Sequence, residues 1–243
     1  MIDNVEKARS LVNSIRWHHK FEVVPGVITP GTYRPDGLWS RINMTSQLKD
    51  KRVLDIGARD GFFSFKCEEN GADVVAVDYV QKEGTGFSLA AELRDSKVKF
   101  INQNLYTLNS HSLGKFDVVL FLGVIYHVPD PYLALEIVRS LTKVGGLIYV
   151  ESTCIDNEMV SKNGDIISTT ELSELPIMIF AGRNMTSFWD FNSECLRLLL
   201  QHTGFRILNF QKWGKRMLAC AEAVDDGHVN RANVIARGTV PRG

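Results

Sequence analysis

The stretch "VLDIGARDGFFSF" occupies residues 53–65. It opens as an apolar run with Asp55 near its end, passes Gly57 and Gly61, four apart, and enters an aromatic-rich segment at Phe62. An apolar run of strand length, then a glycine turn, then a helix-like run reads as a strand–loop–helix unit. In an open parallel sheet the loop after such a strand lies beyond the strands' carboxyl ends, where ligands bind.

The surrounding chain bounds what that unit belongs to. Its 243 residues are 44% hydrophobic and 23% charged, enough for one large globular domain with an extension. Lys and Arg number 28, as do Asp and Glu, so no net basic field draws the chain to phosphates, and nucleic acid is not the favoured partner. The four cysteines, Cys67, Cys154, Cys195 and Cys220, form no C-x-x-C pair and have no histidine at ligand spacing. No metal site is expected, nor any membrane association, because no apolar run reaches spanning length. The reading is a reduced, cytoplasmic protein; its oligomeric state is not legible. The final "GTVPRG", residues 238–243, resembles a protease-site scar and carries no information on the fold.

Further short apolar, β-branched runs lie at 52–56, 73–78, 98–102, 116–122 and 147–151. Helix-like segments alternate with them at 62–70, 88–95 and 131–143, the last with Asp130 placed to cap it and Pro131 at its first position. Such alternation predicts parallel strands joined by right-handed crossovers. The tail breaks the pattern: a helix at 193–202 stops at Gly204, and "FRILNFQKW" and "KRMLACAEA" follow as a hairpin around Gly214. The expected fold is α/β, a Rossmann-like doubly wound seven-stranded sheet, mostly parallel with one antiparallel carboxyl-terminal strand. That is the outline of a class I methyltransferase rather than a dehydrogenase. Residues 1–49 read as a helical or lid extension and 50–243 as the main domain. Within it, an irregular stretch at 152–190, too long for a simple connection, reads as a substrate-side insertion.

A dinucleotide loop reads G-x-G-x-x-G and rests a pyrophosphate on the helix amino end. Here the spacing is "GARDG" and the strand ends in a carboxylate. Asp55 repels a diphosphate and suits a cation such as the α-ammonium of a methionine moiety; the expected cofactor is S-adenosyl-L-methionine. Asp78 ends the second strand about 20 residues on, where an acid can accept both ribose hydroxyls. Asn104 offers an amide to an adenine edge and Leu105 an apolar wall. In "LGVIYHVPDP" Gly123 lets the fourth strand's end approach the cofactor, with Tyr126 and His127 beyond it. The expected cofactor-binding set is Trp17, Asp55, Gly57, Ala58, Arg59, Gly61, Phe62, Asp78, Tyr79, Asn104, Leu105 and Gly123. Each has a structural alternative: a turn glycine, a solvated strand end, a loop residue. Phe62, Phe63 and Phe65 suit a helix face packed on the sheet, and His127 could cap a loop.

Taken together, "RWHHKFEVVPGVITPG", "DIGARDGFF" and "GVIYH" resemble a methyltransferase group related to the tRNA wobble-uridine (carboxy)methyltransferases. Members typically read W-Y-H, then T-P-G, then D-I-G-x-x-D-G-F-F, and later G-V-x-Y-H. Trp17, His19, Thr29, Pro30, Gly31, Asp55, Gly57, Asp60, Gly61, Gly123, Tyr126 and His127 match residue by residue, and a weaker likeness recurs at "SFWDFNSECLRLLLQHTGF". The loop's middle position in this group is often not glycine, so Arg59 is compatible with a working site. His18 departs from the tyrosine common there.

Methyl transfer from a sulfonium needs alignment in a dry pocket, and a base only where the acceptor must lose a proton. For a hydroxyl acceptor, His127 or His19, whose side-chain type titrates near about 6.5, is the expected base and Tyr126 the orienting group. Trp17 and Phe21 read either as a lid or as an anchor for the amino-terminal helix. Three functions stay open: a transferase that O-methylates a small natural-product or sugar-type acceptor, a tRNA wobble-uridine-type (carboxy)methyltransferase, and a catalytically silent binding module.

Overall fold

The computed structural model describes residues 2–44, 48–161, 163–184 and 186–224; residues 238–243, the scar-like tail, lie outside them. The main sheet has strands β1 (Arg52–Ile56), β2 (Asp73–Asp78), β3 (Lys99–Asn102), β4 (Phe116–Leu122), β5 (Thr142–Thr153), β6 (Phe205–Trp213) and β7 (Arg216–Ala223). Their order is β6-β7-β5-β4-β1-β2-β3. β2 pairs in parallel with β1 and β3, and β4 with β5. β7 runs antiparallel to both its neighbours, β5 and β6. The doubly wound sheet with one reversed strand is thus the observed fold. No helix among the described residues is long and apolar enough to cross a membrane.

The chain divides into two compact units, Met1–Leu108 and Asn109–Gly243. In the first, β1 and β2 are buried along nearly their whole length, as parallel strands covered on both faces must be. The helix Phe62–Glu69 starts from Gly61, whose φ is +86°. A Cβ at Gly61 would stand 2.5 Å from the Phe65 ring and 2.9 Å from Phe87, so packing and backbone both demand glycine.

The amino-terminal residues form a helix, Ile2–Asn13, a hairpin of Glu22–Val24 with Val27–Ile28, and a helix, Asp36–Ile42. Trp17 sits between the first two, buried, its indole N–H donating to the Val12 carbonyl at 2.8 Å. Its ring lies on Gly86, where a Cβ would approach to 2.2 Å. These residues belong to the first compact unit, Met1–Leu108.

In the second unit, the helix Pro131–Leu141 has Pro131 in its first turn and the Asp130 carboxylate accepting the Leu133 N–H at 2.9 Å. The helix Ser193–His202 is capped by Asn192, which accepts from the Cys195 N–H, and is followed by Gly204 at φ +85°. The stretch 152–190 is not irregular. It folds into two antiparallel hairpins, Glu158–Val160 with Ile166–Ser168, and Met178–Asn184 with Ser187–Phe191. Asp156 secures its start by accepting from the Ser193 N–H (2.6 Å) and Oγ (2.7 Å) and from Lys212 Nζ (2.6 Å). Burial works against the Asp156 carboxylate, but Lys212 and Ser193 hold it below the usual range.

The Trp17–Gly86 contact gives a direct test. Gly86→Ala should lower the unfolding free energy by about 1–3 kcal/mol, the usual result of overpacking. Gly37→Ala, with open space around its Cβ, should be neutral or stabilising by about 0.4–1 kcal/mol. Urea titration of both variants checks this; equal midpoints would remove the packing argument.

Candidate functional site

The loop after β1 is a chain of left-handed turns held by neighbouring backbone. Gly57, Arg59 and Gly61 have φ of +80°, +52° and +86°. The Gly57 and Ala58 N–H groups donate to the Val77 carbonyl on β2 at 2.8 and 3.2 Å. Arg59 accepts its unusual conformation because its N–H is held by the Asp78 carboxylate at 2.9 Å. The other Asp78 oxygen accepts the Val80 N–H at 2.9 Å. Asp78 therefore fastens the loop while its carboxylate retains further acceptor lone pairs.

Asp60, 1% exposed, is the hub. Its Oδ2 accepts the His18 and His19 N–H groups at 2.7 and 2.8 Å, and its Oδ1 accepts the Gly86 N–H at 3.0 Å. The T-P-G segment completes the arrangement. Thr29 Oγ1 donates to the His19 carbonyl at 2.6 Å, and a Cβ on Gly31 would meet that carbonyl at 2.2 Å.

His19 is buried against Phe62, Phe63 and Tyr33, with Nδ1 unpartnered 3.7 Å from Asp60. Burial lowers its pKa to about 4, despite the opposing pull of Asp60. Near neutral pH it is an uncharged imidazole and a weak base. Asp55 is buried as well, and its pKa is pushed up to about 7 by burial, with the Asp78 charge adding to the effect and a 2.6 Å bond from Ser64 Oγ opposing it.

Several residues of the expected cofactor-binding set make packing or capping contacts of their own. Gly61's missing Cβ faces Phe65 and Phe87, and Trp17 anchors the first helix. Phe62 is buried in the aromatic cluster with Phe21 and Phe63. Asn104 Oδ1 accepts the Tyr106 N–H at 2.9 Å as a helix cap, beside a buried Leu105. Tyr79 is 75% exposed.

The second unit carries its own polar cluster. Gly123, at φ +71°, donates its N–H to the Glu151 carbonyl at 3.1 Å, and its open side faces Tyr126 Oη and Glu151 Oε2. Arg216 forks onto both Glu151 oxygens, donates from Nη2 to Tyr126 Oη at 3.3 Å, and lies over the Tyr126 ring at 5.1 Å. Burial raises the Glu151 pKa, which Arg216 opposes. Glu151 is an acid at the end of an apolar strand, the same signal that marks Asp55 and Asp78, and sequence reasoning passed it over; nothing local singles out Arg216. His127 is exposed on the turn Ile125–His127, its Nδ1 bonded to the Thr186 carbonyl.

The pattern of the Methyltransferase domain family matches residues 33–209. The chain belongs to that family. Among curated proteins, this methyltransferase-domain chain is 32% identical over 127 residues to a tRNA U34 carboxymethyltransferase of Helicobacter acinonychis, covering 50% of this chain and 47% of the relative. It is 32% identical over 114 residues to the protein of that name from Campylobacter jejuni, covering 46% and 39%. The match thus spans less than half the length of either relative.

Among solved structures, the amino-terminal domain of EvdMO1, crystallised in the presence of SAH and D-fucose, superposes with a TM-score of 0.64 at 18% identity, covering 92% of this chain and 98% of that one. The Burkholderia thailandensis 1,6-didemethyltoxoflavin-N1-methyltransferase does so at 0.54 and 19%, covering 78% and 83%. At these identities the likeness carries the fold.

The Asp55 shift sets the sign of a pH effect on this methyltransferase domain. The folded chain keeps that proton to about pH 7, whereas an unfolded aspartic acid loses it near its ordinary value of 3.8. Between those values the folded state binds more protons, so Asp55 makes stability fall as pH rises, by at most about 1.4 kcal/mol per pH unit. Asp55→Asn, neutral throughout, should gain on the wild type from pH 4.5 to 8 in urea unfolding. Parallel curves would contradict the shift.

Proposed function

We propose that the chain is an S-adenosyl-L-methionine-dependent methyltransferase acting on a hydroxyl of a small-molecule acceptor. The observation that carries the cofactor is the pair of buried acids ending adjacent parallel strands: Asp55, a carboxyl in want of a cation, and Asp78, a loop-fastened carboxylate with acceptor capacity to spare. These fit the ligand's α-ammonium and ribose hydroxyls, with Gly57 and Ala58 offering close backbone. When bound, the cofactor supplies a methyl group activated by its sulfonium.

The chain's own part is positioning and proton handling. Asp55 and Asp78 bind the cofactor's polar ends. His127 takes the acceptor hydroxyl's proton at Nε2, because an oxygen gaining a methyl must shed its hydrogen. Tyr126, fixed by Arg216, orients the acceptor through its hydroxyl. His19, neutral and buried, orients rather than deprotonates. The hairpin Met178–Asn184/Ser187–Phe191 covers the His127 turn and serves as the acceptor-side insertion. The formal charge of zero supports a small acceptor over an electrostatically recruited polynucleotide.

The 32% identity to tRNA U34 carboxymethyltransferases favours a second reading, in which the acceptor is a wobble uridine and the cofactor a carboxylated form. One measurement tests the cofactor site and a second divides the cases. Asp78→Ala should weaken S-adenosyl-L-methionine binding about 10- to 100-fold in calorimetry, equivalent to roughly 1–3 kcal/mol; unchanged affinity would refute the role given to Asp78, and a wild type that binds none would refute the cofactor. With S-adenosyl-L-methionine or its carboxylated form supplied in parallel, each labelled on the transferred carbon, label should pass from the first into a nucleic-acid-free metabolite extract and not into bulk tRNA; label passing from the second into tRNA would install the second reading.

A further inference from the structure

We propose that the hairpin Met178–Asn184/Ser187–Phe191 is a positioning clamp for His127, holding its imidazole in the Nδ1–H tautomer so that Nε2 is the proton-accepting nitrogen. The inference rests on the reading of His127 as the base, and deepens it by saying what makes that base competent.

A backbone carbonyl can only accept a hydrogen bond, so the contact between His127 Nδ1 and the Thr186 carbonyl requires the proton on Nδ1. A neutral imidazole carries one N–H, which leaves the Nε2 lone pair open. His127 is exposed, and an unrestrained imidazole populates both tautomers. The carbonyl lies at the tip of the hairpin, 59 residues away in sequence, so the restraint is tertiary.

A second tie keeps the hairpin in register with the same turn. Trp189 Nε1–H donates to the Pro129 carbonyl, two residues past His127, at 3.1 Å. Trp189 is braced in turn by Phe180, its cross-strand partner, packed edge-on with ring centroids 5.7 Å apart. Phe180 is itself 67% exposed, so its use is not explained by core burial. The two bonds, one from the tip and one from the adjoining strand, fix both the ring and the backbone that carries it. When Nε2 takes the acceptor's proton, the imidazolium keeps its Nδ1–H on the Thr186 carbonyl, and no regrouping is needed. Orientation of a base by a partner on its other nitrogen is the general requirement for such a residue.

The test uses the full chain labelled with 15N-histidine at pH 8, with the His127 signals assigned by their loss in His127→Gln. The wild type should show Nδ1 protonated and Nε2 bare. Trp189→Phe, which keeps the ring but loses the N–H, should raise the Nε2–H share severalfold. Phe180→Ala should move it the same way by less, and supplies the reading if Trp189→Phe does not fold. A wild-type spectrum dominated by Nε2–H, or shares unmoved in a folded variant, overturns the clamp. The tautomer is read without turnover, so failure to methylate any acceptor would count against the proposed function and leave this result intact.

Discussion

The Asp60 carboxylate is the interaction on which the first unit depends. It receives three backbone N–H groups, from His18, His19 and Gly86, segments more than 60 residues apart in the chain. A buried carboxylate is tolerable only when it is hydrogen-bonded this fully, and bonds to a charged acceptor contribute about 1.5–3 kcal/mol each. Through those bonds the amino-terminal segment, the glycine loop and the start of the helix Phe87–Leu93 become one body. The Trp17 ring can then lie on Gly86, and His19 can be buried against Phe62 and Phe63. The same burial keeps His19 uncharged, so a structural constraint decides its chemistry.

The second unit solves a related problem differently. Arg216 and Glu151 form a forked pair at the carboxyl end of β5, with Tyr126 sharing the guanidinium. Such a pair is poor evidence of stability, because desolvation offsets most of its attraction. What it provides is direction: the tyrosine hydroxyl and ring are held by a cation that is itself held by two oxygens. Its neighbour His127 is held from outside the sheet, by a hairpin tip.

The sheet was readable because parallel strands covered on both faces are continuous apolar runs, and β1, β2 and β4 were bounded correctly from that signal. Asp130 with Pro131 marked a helix start by cap chemistry that is local in sequence. The hairpin Glu158–Val160/Ile166–Ser168 within 152–190 escaped because its strands have no buried residue. Ile166–Ser168 is exposed along its length, so no alternation is written into it. Asp55 and Asp78 were legible as acids ending apolar strands. The close approaches at Gly61 and Gly86, and the pairing of Arg216 with Glu151, are tertiary facts, visible only once distant segments meet.

The most direct test of this account is amide hydrogen exchange in Asp60→Asn. An asparagine presents an N–H₂ group where one carboxylate oxygen accepted, so it cannot serve all three amides. Protection at His18, His19 and Gly86 should fall by at least about tenfold relative to the wild type, the equivalent of 1.4 kcal/mol or more, while β4 and β5 keep theirs. Unchanged protection at those three amides would contradict the claim that Asp60 joins the amino-terminal segment to the loop.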